Sequence, residues 1–199
     1  MRKVDPVKQE AKRRQIVEAA IACFARKGFH GTSTNDICAE AGMSPGNLFH
    51  YFPSKLALIA TITEEYRAEY AERFVQMTQQ DDVLTAIEAL ALDLMEQSRN
   101  PLEARISIEL IAEGMRNSEV GKIYVDSDRQ VKAGFVALLK RGIAKGQLDP
   151  SLHPEAAATW LIALADGTIS RAQIDPDFSV YEHASMLLRL IRRFLSVSD

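Results

Sequence analysis

Residues 44–55 (SPGNLFHYFPSK) bring several groups that can bind nucleic acid into one short stretch. Asn47 offers a donor and an acceptor that together fit an adenine edge. His50 can contact a base or a phosphate, and Tyr51 can donate its hydroxyl to a phosphate. These residue types at this spacing predict a surface that binds a polyanion.

Hydroxyl and ammonium groups lie on either side of this set. Lys55 follows Ser54, a candidate N-cap, and a lysine at the N-terminus of a helix favours a bound phosphate. Thr32 and Thr34 lie at the start of the preceding helix and could donate their hydroxyls to phosphates in the same way. The alternative from the residues alone is a corner of two helices whose polar residues have no function.

Two short helices must position these groups. Ser33 and Asp36 form an S-x-x-D variant of the capping box, which begins the first helix. Gly42 can adopt the left-handed conformation that ends it. Ser44 is placed as the N-cap of the second helix and Pro45 at its first position. Two short helices joined by a tight turn containing glycine are typical of the helix-turn-helix, whose second helix enters the DNA major groove.

The run from Gly28 to Lys55 resembles the DNA-binding head of the tetracycline-repressor (TetR) family of bacterial regulators. Matching residue types occur at Ile37, Ala41, Gly42, Ser44, Gly46, Leu48, Tyr51, Phe52 and Lys55. Two positions depart from the family pattern, because Cys38 replaces the usual Ala and Phe49 replaces the commonest Tyr, with the loss of one hydroxyl. The resemblance implies DNA-facing roles for Thr32, Thr34, Ser44, Pro45, Asn47, His50, Tyr51 and Lys55.

The stretch from Gly42 to Gly46 also spells G-x-S-x-G, the sequence of the nucleophile elbow in α/β-hydrolases. That elbow requires a buried strand before the serine, whereas the preceding NDICAEA has the pattern of an amphipathic helix. We therefore expect no hydrolase, and more generally no enzyme. A helical enzyme that uses Glu109 and Glu113 as paired carboxylates is the weakest alternative.

Composition and charge describe a folded protein with a basic N-terminal part. Of the 199 residues, 47% are hydrophobic and 26% charged, which is typical of globular proteins. Residues 1–55 hold nine Lys and Arg against five Asp and Glu, whereas the remainder holds 15 against 22. No apolar run is long enough to span a membrane, and the first residues lack the apolar stretch of a secretory signal. We expect a cytoplasmic protein with no metal site and no cofactor.

Apolar residues recur with the period of an α-helix along the whole chain, which predicts an all-α fold of about nine helices. The expected helices lie near residues 8–27, 34–41, 45–51, 54–77, 83–98, 102–114, 118–145, 154–173 and 178–196. By resemblance to the family, residues 1–54 form a three-helix DNA-binding domain of the helix-turn-helix type. Residues 55–199 would then bind an effector and mediate dimerisation.

The last two helices, within residues 154–196, are apolar around much of their circumference. The apolar positions are Trp160, Leu161, Ile162, Leu164 and Ile169 on one helix and Met186, Leu187, Leu190, Ile191 and Phe194 on the other. A helix of this kind needs more than one packing partner, so the pattern favours a symmetric homodimer. A helix enclosed within a monomer is the alternative.

Two glutamates in the middle of the chain lie on the apolar side of their helix. On a helical wheel, Glu113 and Glu109 lie about 20° and about 60° to the same side of Ile106, within the apolar arc of the helix. A buried carboxylate needs a partner, which could be a cationic effector, an arginine of a second copy, or the neighbouring Arg105 and Arg116.

The effector pocket is the least specified part of this interpretation. Its candidate residues are Glu109, Glu113, Tyr66, Met95, Tyr124, Phe135 and Trp160, of which the aromatic residues and the methionine could equally be plain core. The C-terminal half resembles the repressors of the choline-to-betaine pathway in helix layout, and that resemblance carries no ligand identity.

These observations predict a DNA-binding transcriptional regulator without enzymatic activity. Its partners would be a double-stranded operator with inverted-repeat symmetry, a second copy of the chain, and a small-molecule effector that releases a repressor from the DNA. The alternative is a helical protein-interaction module without sequence-specific DNA binding.

Overall fold

The computed structural model describes residues 5–196, apart from the side chain of Val180, as α-helices and short connections without a strand. Nine helices lie within the described residues, which confirms the all-α prediction. Arg2 and Lys3, which were counted in the basic N-terminal part, lie outside the described residues. The helices are α1 (Pro6–Gly31), α2 (Thr34–Glu40), α3 (Pro45–Tyr51), α4 (Lys55–Met77), α5 (Val83–Ser98), α6 (Pro101–Arg116), α7 (Ser118–Ala144), α8 (Pro154–Ile174) and α9 (Val180–Leu195).

The caps of α2 and α3 form as the sequence predicts. The Ser33 hydroxyl accepts a hydrogen bond from the Asp36 N–H at 3.1 Å, and the Asp36 carboxylate accepts one from the Ser33 N–H at 2.8 Å. Ser44 caps α3, with Pro45 in its first turn. Gly42 adopts a φ of +61° in the turn between the two helices. These local bonds determine where α2 and α3 begin.

Helix α1 contains a break that its sequence periodicity did not show. Gly28 has φ 71° and ψ 166°, and a further helical turn follows it up to Gly31. This φ lies in the left-handed region, where glycine has no steric penalty. The expected end of the helix near residue 27 therefore corresponds to the break, and the chain continues helically beyond it.

The chain divides into two compact units. The first unit comprises the residues up to Tyr66 together with Arg105–Tyr124, and the second unit comprises Arg67–Ala104 together with the residues from Val125 onwards. The predicted division at residue 54 concerns function and stays a prediction. In packing terms, the first unit extends past that position and includes most of α6.

A single apolar core holds the first unit together. Buried side chains from α1 to α4 meet buried side chains from α6 and α7. The most completely enclosed of them are Ile16, Ala20, Cys23, Phe24, Ile37, Leu48, Leu58, Ile59, Ile62, Ile106 and Val120. Leu48 thus anchors α3 on one side, while the opposite side of this short helix is open to solvent.

The second unit has a separate core between α5, α7, α8 and α9. Its buried side chains include Val83, Ile87, Phe135, Leu139, Leu148, Ala158, Leu161, Ile191 and Leu195. An ion pair between Arg192 and Glu88 joins α9 to α5 at the edge of this core, with Nη2 3.0 Å from Oε2. Within the described residues, no helix combines the length and the apolar character needed to cross a membrane.

Candidate nucleic-acid interface and effector cavity

Helix α3 presents most of the polar groups expected to contact DNA. Ser44, Pro45, Asn47 and His50 are exposed, whereas Tyr51 is half-buried and packs against the core of the first unit. The Asn47 side chain has no hydrogen-bond partner among residues 5–196, so both its donor and its acceptor are available. The exposed side of α3 can therefore offer hydrogen bonds to base edges and phosphates.

The aromatic residues of α3 add an apolar component to this surface. Phe49 is 47% exposed, and the rings of His50 and Tyr51 meet edge to face with centroids 5.2 Å apart. An exposed apolar ring can contact the methyl group of thymine. From the sequence, Phe49 was expected only to lack a hydroxyl. Because consecutive residues of a helix are rotated by about 100°, the burial of Leu48 could have indicated that Phe49 is directed away from the core.

Thr32 does not have the exposed hydroxyl that was expected. Its side chain is 1% exposed, and its hydroxyl donates to the carbonyl oxygens of Gly28 at 2.8 Å and Cys23 at 3.1 Å. Both carbonyls belong to α1, one of them at the break itself and the other five residues before it. Thr32 is thus part of the interior, while Thr34 is half-buried at the start of α2.

Lys55 also differs from the prediction, because its ammonium group is occupied within the protein. Nζ donates to the carbonyl oxygens of Phe29 at 2.7 Å and Thr32 at 2.8 Å, and it lies 4.3 Å from the centroid of the Phe29 ring. Burial lowers the pKa of this lysine. The group therefore closes the C-terminal end of α1 and is not presented as a free phosphate ligand.

Two further cations of the first unit are paired with its own acids. Arg26 lies 2.6 Å from the Glu40 carboxylate and Lys27 lies 2.6 Å from that of Asp36. Hydrogen bonds from Lys27 and from Ser33 lower the pKa of Asp36. Much of the positive charge that the sequence places near the helix-turn-helix is therefore balanced locally.

Glu109 and Glu113 anchor α6 to the break in α1. The Glu109 carboxylate accepts a hydrogen bond from the Phe29 N–H at 2.9 Å, and its oxygens lie 3.3 Å from where a Cβ on Gly28 would stand. Glu113 is 2% exposed, and its Oε2 lies 3.0 Å from Nε2 of His30, close enough for an ion pair but without the geometry of a hydrogen bond. The helical wheel placed both side chains on the inward side of α6, and their structural partners come from α1.

Both glutamates were expected in the effector pocket. That role stays a prediction, because their contacts with α1 neither include nor exclude a ligand. Within the described residues they pair neither with Arg105 nor with Arg116, and they lie in the first unit. The partner of Glu109 is a backbone N–H freed by the left-handed Gly28, a feature that residue types do not reveal.

A cavity lies inside the second unit, between α4, α5, α7, α8 and α9. It has a volume of about 420 Å³, counting the part open to solvent, and twelve residues line it. Ten of these are apolar, among them Leu90, Phe135, Leu164 and Leu187. The two polar residues are Tyr70 and Thr168. No group of three or more His, Cys, Asp or Glu side chains within residues 5–196 could hold a metal ion.

Of the candidate pocket residues, only Phe135 lines this cavity. Tyr66 packs against the core of the first unit, and Tyr124 belongs to that unit as well. Met95 is buried in the second unit away from the cavity lining, and Trp160 is 64% exposed. Helical spacing identifies an inward side of a helix, but it does not identify which neighbour that side meets.

The apolar side chains of α8 and α9 fall into two groups, one lining the cavity and the other exposed to solvent. Leu161, Leu164, Leu187 and Ile191 line the cavity. Of the apolar positions named from the sequence, four are exposed, and we refer to them as the α8–α9 face: Trp160, Met186, Leu190 and Phe194. Ile174 at the end of α8 and Tyr181 at the start of α9 are exposed as well.

Sequence comparisons match both parts of the chain. Residues 16–62 match the sequence model described as bacterial regulatory proteins, tetR family. Residues 80–196 match the model described as BetI-type transcriptional repressor, C-terminal. The HTH-type transcriptional regulator UidR of Escherichia coli strain K12 is 27% identical over 173 residues, which cover 84% of this chain and 85% of UidR.

Structural comparisons give the same result over nearly the whole length. GusR of Salmonella enterica superposes with a TM-score of 0.77 at 28% identity, covering 98% of this chain and 99% of GusR. FadR of Bacillus subtilis, solved in complex with stearoyl-CoA, superposes with a TM-score of 0.77 at 18% identity, covering 89% and 96%. At that identity, the likeness to FadR shows a shared fold alone.

Proposed function

The chain belongs to the tetR family of bacterial regulatory proteins and is a DNA-binding transcriptional regulator, and from this premise we propose that it is a homodimeric repressor. A small molecule in the second unit would release it from a pseudo-palindromic operator. The observation that carries the proposal is the exposed hydrogen-bonding side of α3, with the buried Leu48 behind it. We assign the protein to the cytoplasm, where it would meet its operator. The family match does not favour the alternative of a protein-interaction module.

In the proposed complex, α3 lies in the major groove. Asn47 reads an adenine edge, Phe49 contacts a thymine methyl group, and His50 contacts a base or a phosphate. Tyr51 donates its hydroxyl to a phosphate.

The remaining candidates act around α3. Ser44, Pro45 and Thr34 are positioned for close approach of the DNA backbone. Thr32 and Lys55 contribute indirectly, because their hydrogen bonds hold the end of α1 and the start of α4 in place.

The α8–α9 face supports the proposed homodimer. Regulators of the tetR family dimerise, and exposed side chains as large as Trp160 and Phe194 gain stability only when a partner covers them. A two-fold dimer presents two copies of α3, which can read half-sites spaced by a turn of DNA, about 34–36 Å.

The cavity of the second unit supports the proposed response to an effector. It is concave and mostly apolar, as binding sites for small molecules are, and FadR of Bacillus subtilis was solved with stearoyl-CoA bound. We propose that the ligand favours a dimer whose two heads do not match the spacing of the half-sites. By linkage, the operator then weakens ligand binding by the same factor.

Selection of bound fragments from random-sequence DNA, with sizing of the complexes, tests this proposal. We expect enrichment of an inverted repeat that is bound by an even number of chains. Binding to that repeat should withstand competition by random DNA and should weaken steeply with salt. Failure of the folded protein to enrich any sequence would contradict the proposal and favour a protein-interaction role.

A further inference from the structure

The cavity of the second unit has a lining that constrains the charge of its ligand. None of the twelve lining residues is charged. Moving an ionised group from water into such surroundings is costly unless an opposite charge or several hydrogen bonds compensate it. An ion would find no counter-charge in the lining, whereas an uncharged apolar molecule would bury its surface against side chains such as Leu90 and Leu187.

The lining offers one available polar group. The Thr168 hydroxyl donates to the carbonyl oxygen of Leu164 at 2.8 Å, so its proton is already used within α8. The hydroxyl of Tyr70 has no hydrogen-bond partner among residues 5–196. A ligand can therefore form a hydrogen bond with Tyr70 without displacing a bond within the protein.

The surroundings of Tyr70 disfavour an anion. Burial raises the pKa of Tyr70 to about 12, and the carboxylates of Asp166 and Asp93 contribute in the same direction. The phenol therefore stays protonated at neutral pH. Arg73, one turn further along α4, is already engaged, because it pairs with Glu69 and lies 3.8 Å from Asp93. Arg67, one turn before Tyr70, donates to Gln130 at 3.2 Å and does not line the cavity. An anionic group beside Tyr70 would therefore be repelled by two carboxylates, with no cation in the lining to offset them.

We propose that this cavity takes an uncharged, mainly apolar small molecule whose single polar group forms a hydrogen bond with the hydroxyl of Tyr70. The inference rests on the proposed function, in which the cavity is the effector site, and it adds the chemical class of the effector. Hydroxyl and carbonyl groups both suit a phenol that can donate or accept.

Three probes with the same eight-carbon chain isolate the effect of charge. Calorimetric titration of the full-length protein at about pH 7 would use 1-octanol, octanoate and octylammonium. We expect 1-octanol to bind at least about tenfold more tightly than either ion, because only the ions carry a charge into an apolar lining. Tighter binding of octanoate or of octylammonium, or no binding of 1-octanol, would overturn the proposal.

Substitutions then locate the bound probe. Tyr70→Phe keeps the ring and removes the hydroxyl, so the affinity for 1-octanol should fall about three- to tenfold. Tyr181→Phe is the matched control, because Tyr181 is exposed and does not line the cavity. The affinity of this variant for 1-octanol should equal that of the unchanged protein. Ala91→Phe, which places a ring in the cavity, should weaken binding of 1-octanol at least about tenfold. Unchanged binding in both Tyr70→Phe and Ala91→Phe would place the probe elsewhere and contradict the proposal.

Retention of operator DNA, measured in the same samples, separates this inference from the function on which it rests. If 1-octanol binds in a Tyr70-dependent way and the operator is not released, the ligand class is supported and the proposed release mechanism is wrong. If operator binding is intact and 1-octanol does not bind, the regulator assignment is unaffected and the inferred ligand class is wrong.

Discussion

Helix α3 of the first unit and the α8–α9 face of the second unit expose different kinds of side chain. On α3, the first unit exposes hydrogen-bonding groups such as Asn47 and His50, while its cations Lys55, Arg26 and Lys27 are engaged within the unit. On α8 and α9, the second unit exposes large apolar side chains. Polar groups without internal partners suit an aqueous, charged surface such as DNA, and uncovered apolar groups suit a second copy of the protein.

This difference indicates that, in the proposed complex, the first unit selects the DNA sequence and the second unit provides the dimer. Because the ammonium and guanidinium groups near α3 already have partners, the choice between base sequences would depend on hydrogen bonds and close packing more than on free charge. Affinity would then depend on having two heads, and therefore on the α8–α9 face of the second unit.

Loss of the dimer should have the largest effect. Leu190→Glu introduces a charge into the α8–α9 face, and the protein should become a monomer whose affinity for the operator is at least about 100-fold lower, because two linked heads bind far more tightly than one. Light scattering and a DNA titration would measure the two effects. Met115→Glu is the matched control, since Met115 is 83% exposed and lies outside this face. A dimeric Leu190→Glu protein would show that the interface lies elsewhere.

The hydrogen-bonding side of α3 is tested next. Asn47→Ala should cost about 1–3 kcal/mol of binding free energy on the selected operator and relax base choice at one position, because a bidentate contact to a base is lost. Competition titrations against random DNA provide the comparison. Equal losses of binding free energy on operator and random DNA would contradict the assignment of Asn47 to base reading.

The break in α1 is expected to matter for the stability of the folded protein. Gly28→Ala should lower the free energy of unfolding by about 1–3 kcal/mol, because alanine is strained at a φ of 71° and its Cβ would lie 3.3 Å from the Glu109 oxygens. Denaturant unfolding would measure it. Gly31→Ala serves as the control, because a Cβ there would make only an ordinary contact at 3.6 Å. Equal destabilisation by the two substitutions would argue against a special role for the break.

Lys55 distinguishes an internal cation from one that binds DNA. Lys55→Met should lower the free energy of unfolding by about 1–2 kcal/mol, because two carbonyl oxygens lose a charged donor. The dependence of operator affinity on salt should not change, because no phosphate contact is lost. A slope of log K against log salt reduced by about 1 would instead show that Lys55 binds a phosphate in the complex.

The smallest effect concerns pH and the cap of α2. Because the folded-state pKa of Asp36 lies below the unfolded value of about 3.9, its ionised form stabilises the folded state above that pH. This contribution is lost as pH falls through the folded-state pKa. The difference in unfolding free energy between the wild type and Asp36→Asn should therefore shrink below about pH 4. A difference that does not depend on pH would contradict the role of the charge.

Interactions within a few residues were accessible from the sequence, and those across the chain were not. The bond between Ser33 and Asp36 spans three positions, so the residue types predict it. The bond between Glu109 and Phe29 spans 80 positions and depends on a backbone conformation at Gly28 that no pattern specifies.

The same limit applies to the candidate pocket. Helical periodicity correctly placed Glu113 and Phe135 on inward sides of their helices. Only the packing of the helices shows that one of them meets α1 and the other a cavity. Tyr70 was missed for the same reason, since its spacing does not differ from that of an ordinary core residue.

The anchoring of α1 by α6 restricts how this DNA-binding head could be transplanted. A chimeric regulator joined at residue 54 would lack Glu109, the acceptor of the Phe29 N–H, and would remove Ile106 and Leu110 from the apolar core that they share with α1 to α3. The transplantable cassette is therefore discontinuous. Exchange of operator specificity between regulators of this kind requires Arg105–Arg116 to travel with the head, or a recipient whose own sixth helix carries a carboxylate at the same place.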